Sequence, residues 1–276
     1  MKKVFHGRNL PSFYSIRSRA SGESSVVKIL VSLGVAALAL TPAISQAGLV
    51  FDNFSNFEGG NTNAHVSATG STPNTFMGDA YTLAAGTTSI TGFDIFPVNL
   101  SGTTYVGIKI NIYVWGSVNM GTVSATTPAF GNLLGSYTLT SPGSFDNGFF
   151  FPFEGTTPGV TPGITLTTPL NISSTTIGIT FNYQGTTDGT TYNNVNSLTS
   201  LIGYGTPPTV GSQVFSGYYR NANSEVNGNF TSSLRTLGQS NESLALRVYG
   251  TVVPEPSSLL FAFTGTALLL HYRRKR

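Results

Sequence analysis

The chain has no cysteine, a single tryptophan and only three histidines, and just 9% of its 276 residues are charged. Without cysteine there is no disulfide, no thiol nucleophile and no thiolate metal site, and neither an oxidising nor a reducing compartment is required. His6 and His271 lie near the two ends, so any Ser-His-Asp chemistry in the middle would have to use His65, and no Gly-x-Ser-x-Gly elbow accompanies it. Amphipathic helical periodicity is also missing between residues 48 and 253, which removes α/β folds and their nucleotide sites.

Positive charge is scarce where a binding surface would need it. The formal charge is +3 and the pI about 9.1, but the basic residues sit at the two ends. Six precede residue 29 (Lys2, Lys3, Arg8, Arg17, Arg19, Lys28) and four are the last four residues. Between residues 48 and 253 only Lys109, Arg220, Arg235 and Arg247 face nine acidic residues, a net charge of −5. A nucleic-acid partner is therefore excluded.

What is present is Gly, Thr, Ser and Asn in abundance, a composition of strands and turns. The ends are different. Ile29 to Leu40 is a 12-residue apolar run behind a basic segment, followed by Ser45 and Ala47, small residues at the −3 and −1 positions of a signal peptidase site. Residues 1–47 read as a signal peptide with its helix, cut between Ala47 and Gly48; the alternative is an uncleaved anchor helix.

At the other end, Pro254-Glu255-Pro256 precedes an apolar stretch, Ser257 to Tyr272, and the cluster Arg273-Arg274-Lys275-Arg276. As a helix the stretch is about 24 Å long, enough to span a membrane if the basic cluster snorkels. The cluster would hold the C-terminus in the cytoplasm and the body on the opposite side. The flanking prolines keep the motif extended, as a peptide in a protease groove must be.

This order of proline motif, short helix and basic cluster resembles the PEP-CTERM sorting signal of Gram-negative bacteria, a tail class also labelled an ice-binding protein C-terminal domain. The resemblance covers residues 253–276. It implies a membrane protease partner, exosortase, acting near Pro254, Glu255 and Pro256, and an exopolysaccharide matrix into which the protein is released or at whose surface it is held. The alternative is a tail anchor that is never cut.

The body, residues 48–252, is expected to be an all-β, antiparallel β-sandwich of jelly-roll-like form, with about ten short strands. The clearest strand is Tyr105 to Trp115, where Val106, Ile108, Ile110, Ile112 and Val114 form a β-branched core face with a period of two. Ile177 to Tyr183 and Leu244 to Tyr249 alternate likewise. Weaker strand signals cover 49–54, 75–83, 89–96, 133–139, 148–153, 164–170 and 214–219, with long loops at 58–74 and 184–196. The passage MGDAYTLAAGTTSITGFDIF is also similar to β-sandwich bodies that precede PEP-CTERM tails.

Chemistry is harder to place. Glu58, Asp94, Asp146, Glu154, Glu225 and Glu242 are candidates for the carboxylate pair of a carbohydrate-active hydrolase, but sequence cannot pair them. Asp146-Asn147-Gly148 and Asp188-Gly189 could offer oxygens to calcium, yet turn dipeptides explain them without any ion, so no metal or other cofactor is expected. Isolated Thr-x-Thr pairs at 138–140 and 165–167 lack the repeat that ice binding requires. Trp115, Tyr113, Tyr192 and Tyr218, with Tyr204 and Tyr219, are the aromatics from which sugar stacking would be built; packing is the competing role. The expected function is a non-enzymatic exported surface or matrix protein, with a secreted hydrolase or a lectin-like sugar-binding module as alternatives.

Overall fold

Strand is the only regular structure among the described residues, in keeping with the Thr, Val, Ile and aromatic content. The computed structural model describes residues 46–55, 76–120, 129–195, 198–203, 205–221, 234–235 and 240–253, all within one compact unit, Ala43–Glu255. The signal segment through Ser45, the loop with Glu58 and His65, Tyr204, Glu225 and everything from Pro254 to Arg276 lie outside those residues.

In chain order the strands are β1 (Gln46–Asp52), β2 (Phe76–Thr82), β3 (Thr87–Ile95), β4 (Pro97–Asn99), β5 (Tyr105–Val118), β6 (Phe130–Phe145), β7 (Ile164–Asn171) and β8 (Thr176–Thr186). There follow β9 (Asn193–Asn194), β10 (Leu198–Ser200), β11 (Ile202–Gly203), β12 (Ser212–Gln213), β13 (Tyr218–Asn221), β14 (Leu234–Arg235), β15 (Ser243–Leu244) and β16 (Leu246–Val252). One sheet has the order β1-β16-β3-β7; the larger runs β14-β13-β2-β8-β5-β6, with β12 on β2 and β9 on β8. Two short ladders, β10-β4 and β11-β15, complete the set. The ladders between named strands are all antiparallel, so the all-β antiparallel expectation holds.

The two larger sheets share one apolar core. Val50, Ile90, Phe93, Leu246 and Val248 come from the smaller sheet; Ile108, Ile110, Ile112, Val114, Ile177, Ile179 and Phe181 come from the larger. The register follows the predicted alternation: Ile110 lies between Leu139 and Tyr183, and Ile112 between Tyr137 and Phe181. Directly opposed residues share a face, so each alternate row closes over the core.

Val106 departs from the expected core face and is 46% exposed. A register shift between Tyr105 and Gly107 turns the start of β5, and Tyr105 takes the buried place instead. Residues 148–153 make isolated bridges to 95 and 98 rather than a continuous strand, on the edge of β4 that β10 leaves open. Ala245 interrupts the expected Leu244 to Tyr249 strand: Leu244 pairs with Ile202, whereas Leu246 joins the smaller sheet opposite Ile95. The expected loop 184–196 is largely a hairpin, since β9 returns onto Gln184 and Gly185.

One ionisable group is sealed in this core. Asp79, on β2, is fully buried, its two oxygens accepting hydrogen bonds from the Ala80 and Leu244 backbone N–H groups at 2.7 and 3.0 Å. Burial dominates those bonds and pushes its carboxyl well above the ordinary range. The folded chain therefore keeps this proton at pH values where the unfolded chain has lost it, and stability falls as pH rises above about 4, the unfolded value. Thermal unfolding followed from pH 5 to 8 should show a falling midpoint in the native chain and a markedly flatter profile in Asp79→Asn; equal slopes would contradict the burial of a protonated carboxyl.

Candidate functional site

The outer face of the larger sheet divides into an apolar half and a polar half, and the alternation of β5 sets the division. Lys109, Asn111, Tyr113 and Trp115 point away from the core, opposite Gln184, Asn182, Thr180 and Gly178 on β8. Toward the Trp115 end, Trp115, Phe130, Tyr113 and Tyr219 form a separate cluster. Phe130 lies so close over Gly178 that a Cβ there would sit 2.3 Å from its ring, so only glycine allows the contact. Trp115 donates its Nε1–H to Thr180 Oγ1 at 3.0 Å.

Toward Lys109 the same face is a row of neutral hydrogen-bonding groups. Thr138 donates to Asn111 Oδ1 at 2.8 Å, and Asn111 donates to Asn182 Oδ1 at 3.0 Å. Asn182 and Gln184 both donate to Asn194 Oδ1, at 3.3 and 3.0 Å. Thr138, Gln184 and Asn194 are all at least partly exposed, so this row meets solvent. Beside it Tyr192 lies half-buried with the Lys109 ammonium 4.9 Å from its ring centroid. Its hydroxyl crosses Gly107, where a Cβ would come within 2.9 Å.

The hairpin that carries Tyr192 is pinned by Asp188. That carboxylate accepts from Thr186 Oγ1 and from the N–H groups of Thr190 and Thr191, at 2.7 to 2.8 Å, and Gly189 takes a φ of +76°. The two backbone donors, Thr191 first, hold the Asp188 carboxyl far below the usual carboxylate range. Next to the hairpin an open hollow of about 430 Å³ is lined by Ser101, Thr103, Tyr105, Gly185, Thr187, Asn193, Asn194 and Val195.

On the other flank of the 99–103 loop stand Phe149 and Phe150, 63% and 46% exposed. Asn99 N–H donates to Phe149 O at 3.0 Å, and Gly102 N–H to Asn147 Oδ1 at 2.8 Å. The sequence reading placed a strand here and did not single out these rings. The signal was the Phe149-Phe150-Phe151 run directly after an Asp-Asn-Gly turn.

Of the aromatics expected to stack on sugar, three are packed against protein: Trp115 is 3% exposed, Tyr113 9% and Tyr218 1%. Tyr219 is buried too, and Tyr192 alone of the described candidates reaches the surface. Strand tyrosines opposite other strands fill the space between them, which is the packing role weighed against stacking. At each of the two turn sites considered for calcium one carboxylate oxygen accepts hydrogen bonds: Asp188 Oδ1 as above, and Asp146 Oδ1 from Ser144 Oγ at 2.9 Å. Among the described residues no group of three or more metal-ligating side chains occurs.

Two of the candidate carboxylates do come together, but not in a cleft. Arg247, on β16, binds Glu154 and lies 3.4 Å from Asp94 through the same Nη1, while its Nε is 3.4 Å from Asp52 Oδ1. Asp94 is fully buried, accepts from Tyr249 Oη at 2.6 Å and from Gly163 N at 2.7 Å, and has no open side for a substrate. Phe54 and Phe96, stacked at 3.6 Å, cover the guanidinium. Burial alone would raise Asp52, yet hydrogen bonds from Ser55, Thr209 and Phe54 hold its carboxyl below the usual value. Burial alone would lower Arg247, but Glu154, Asp52 and Asp94 raise it.

No family model, no curated protein and no solved structure matches this chain.

Removing the cation from this cluster leaves the buried Asp52 and Asp94 carboxylates without a counter-charge. Arg247→Met should cost about 3–5 kcal/mol of folding stability, read by urea unfolding at pH 7. A loss below about 1 kcal/mol would place the cluster among exposed ion pairs.

Proposed function

We propose that the chain is an exported bacterial surface or extracellular-matrix protein, non-enzymatic, delivered by a signal peptide and sorted through a PEP-CTERM tail by an exosortase-type protease. The observation that carries this reading is the extent of the folded unit. Its first strand begins at Gln46 and its last ends at Val252, and these two residues are paired with each other. The β body thus runs from two residues before the expected Ala47-Gly48 cut to Val252, and its two ends lie side by side. Cutting at Gly48 removes two residues of β1 and keeps Gly48 to Asp52 on β16.

On this reading the two main sheets are the layers of a jelly-roll-like β-sandwich, supported by their shared core. A lectin-like role toward exopolysaccharide is favoured by one further observation: the exposed row of amides and hydroxyls beside Tyr192. Neutral donors and acceptors next to an aromatic face suit sugar hydroxyls and ring C–H groups. Before processing, the apolar stretch 257–272 holds the protein in the membrane, with Arg273, Arg274, Lys275 and Arg276 on the cytoplasmic side.

Intact-mass spectrometry of the protein recovered from membrane and medium of its own cells, with and without the exosortase, tests the sorting. The expected product is a soluble form starting at Gly48 and ending near Pro254, seen only with the protease. A membrane-bound form that keeps Arg276 in both strains would replace this reading with that of a tail-anchored protein.

A further inference from the structure

From the far edge of β6 we infer a self-association surface, by which two copies of this chain join their larger sheets edge to edge. β6 runs 16 residues, Phe130–Phe145, and ends the larger sheet; among the described residues only β5 pairs with it. Average strands have about 5–6 residues, so this is a long row of backbone groups available to a further strand. Proteins blunt such edges with charge, and β6 has none. The other outer strands are shorter. β14 has two residues, β7 eight and β1 seven; β6 has its own proline, Pro142, but it lies beyond the regular segment described next.

The centre of β6 is regular. From Gly135 to Ser141 it pairs residue by residue with Val114 back to Ile108, without a bulge. Thr138 and Thr140 are exposed on the outer face, whereas Tyr137 and Leu139 pack against the core. A second copy is the occupant this segment fits. An antiparallel two-fold centred on Thr138 sets Thr138 against Thr138, Ser136 against Thr140 and Tyr137 against Leu139. Hydroxyl pairs then meet on the outer face and aromatic-aliphatic pairs on the inner, the cross-strand combinations that stabilise sheets. β6 carries no charged residue, so two copies meet there without like-charge repulsion. This pairing does not depend on the tail's processing.

The absence of cysteine makes the test direct. Opposed residues in antiparallel strands have Cα atoms about 4.5–5.5 Å apart, within disulfide range. The full chain carrying Thr138→Cys, produced in its own cells and oxidised mildly, should run at twice its mass on a non-reducing gel. Thr88→Cys, exposed on the other sheet, should remain single. Ser136→Cys and Thr140→Cys produced together should cross-link to each other in preference to themselves. Thr138→Lys, which opposes two ammonium groups, should halve the mass seen by sedimentation of the native chain. A Thr138→Cys chain that stays single, that dimerises no more than Thr88→Cys, or that is captured by a protein of another mass overturns the proposal.

Discussion

Arg247 is one cation held against three carboxylates, and the smaller sheet is organised around it. It projects from β16, the strand that pairs with β1 on one side and β3 on the other. Asp52 comes from β1, Asp94 from β3 and Glu154 from the segment that bridges back to Pro162, so the cluster ties together parts of the chain nearly 200 residues apart. Two aromatic rings exclude water from the guanidinium, and Tyr249 and Gly163 satisfy Asp94. Buried charge of this kind is costly when incomplete, so it enforces one arrangement of these strands.

The proposed export imposes an order of events on this topology. β16 is the last strand of the body and occupies an interior position in its sheet, so the sheet cannot close until residue 252 is available. Contacts between first and last strands are the slowest to form because loop-closure entropy opposes them. The Ala47-Gly48 bond lies in the part of β1 that β16 later pairs with. On the proposed route, a signal peptidase has an extended substrate before the body folds and a paired strand afterwards.

Much of this fold was legible because strands write a period of two into the sequence. Ile108, Ile110, Ile112, Val114, Ile177, Ile179 and Phe181 landed in the core as the alternation required. Periodicity failed where the backbone changes phase. Val106 keeps the sequence pattern but loses its place to Tyr105 at a bulge, which no residue type announces. The candidate site was less legible. Trp115, Tyr113 and Tyr218 share composition and strand context with a sugar platform, and only the packing of Phe130 and the neighbouring strands shows that their rings face protein. Tyr192, by contrast, sits on a hairpin set by Asp188 and Gly189, a turn visible in sequence although its pairing was not.

On the proposed lectin-like reading, the sugar-binding surface of the body is the polar half of the larger sheet, around Tyr192. Its most direct test is co-sedimentation of the processed protein with exopolysaccharide isolated from the same cells, comparing the native chain with Tyr192→Ala. The account predicts binding that weakens about tenfold, the equivalent of roughly 1.4 kcal/mol, when the ring is removed. No binding by the native chain, or equal binding by both, would contradict it.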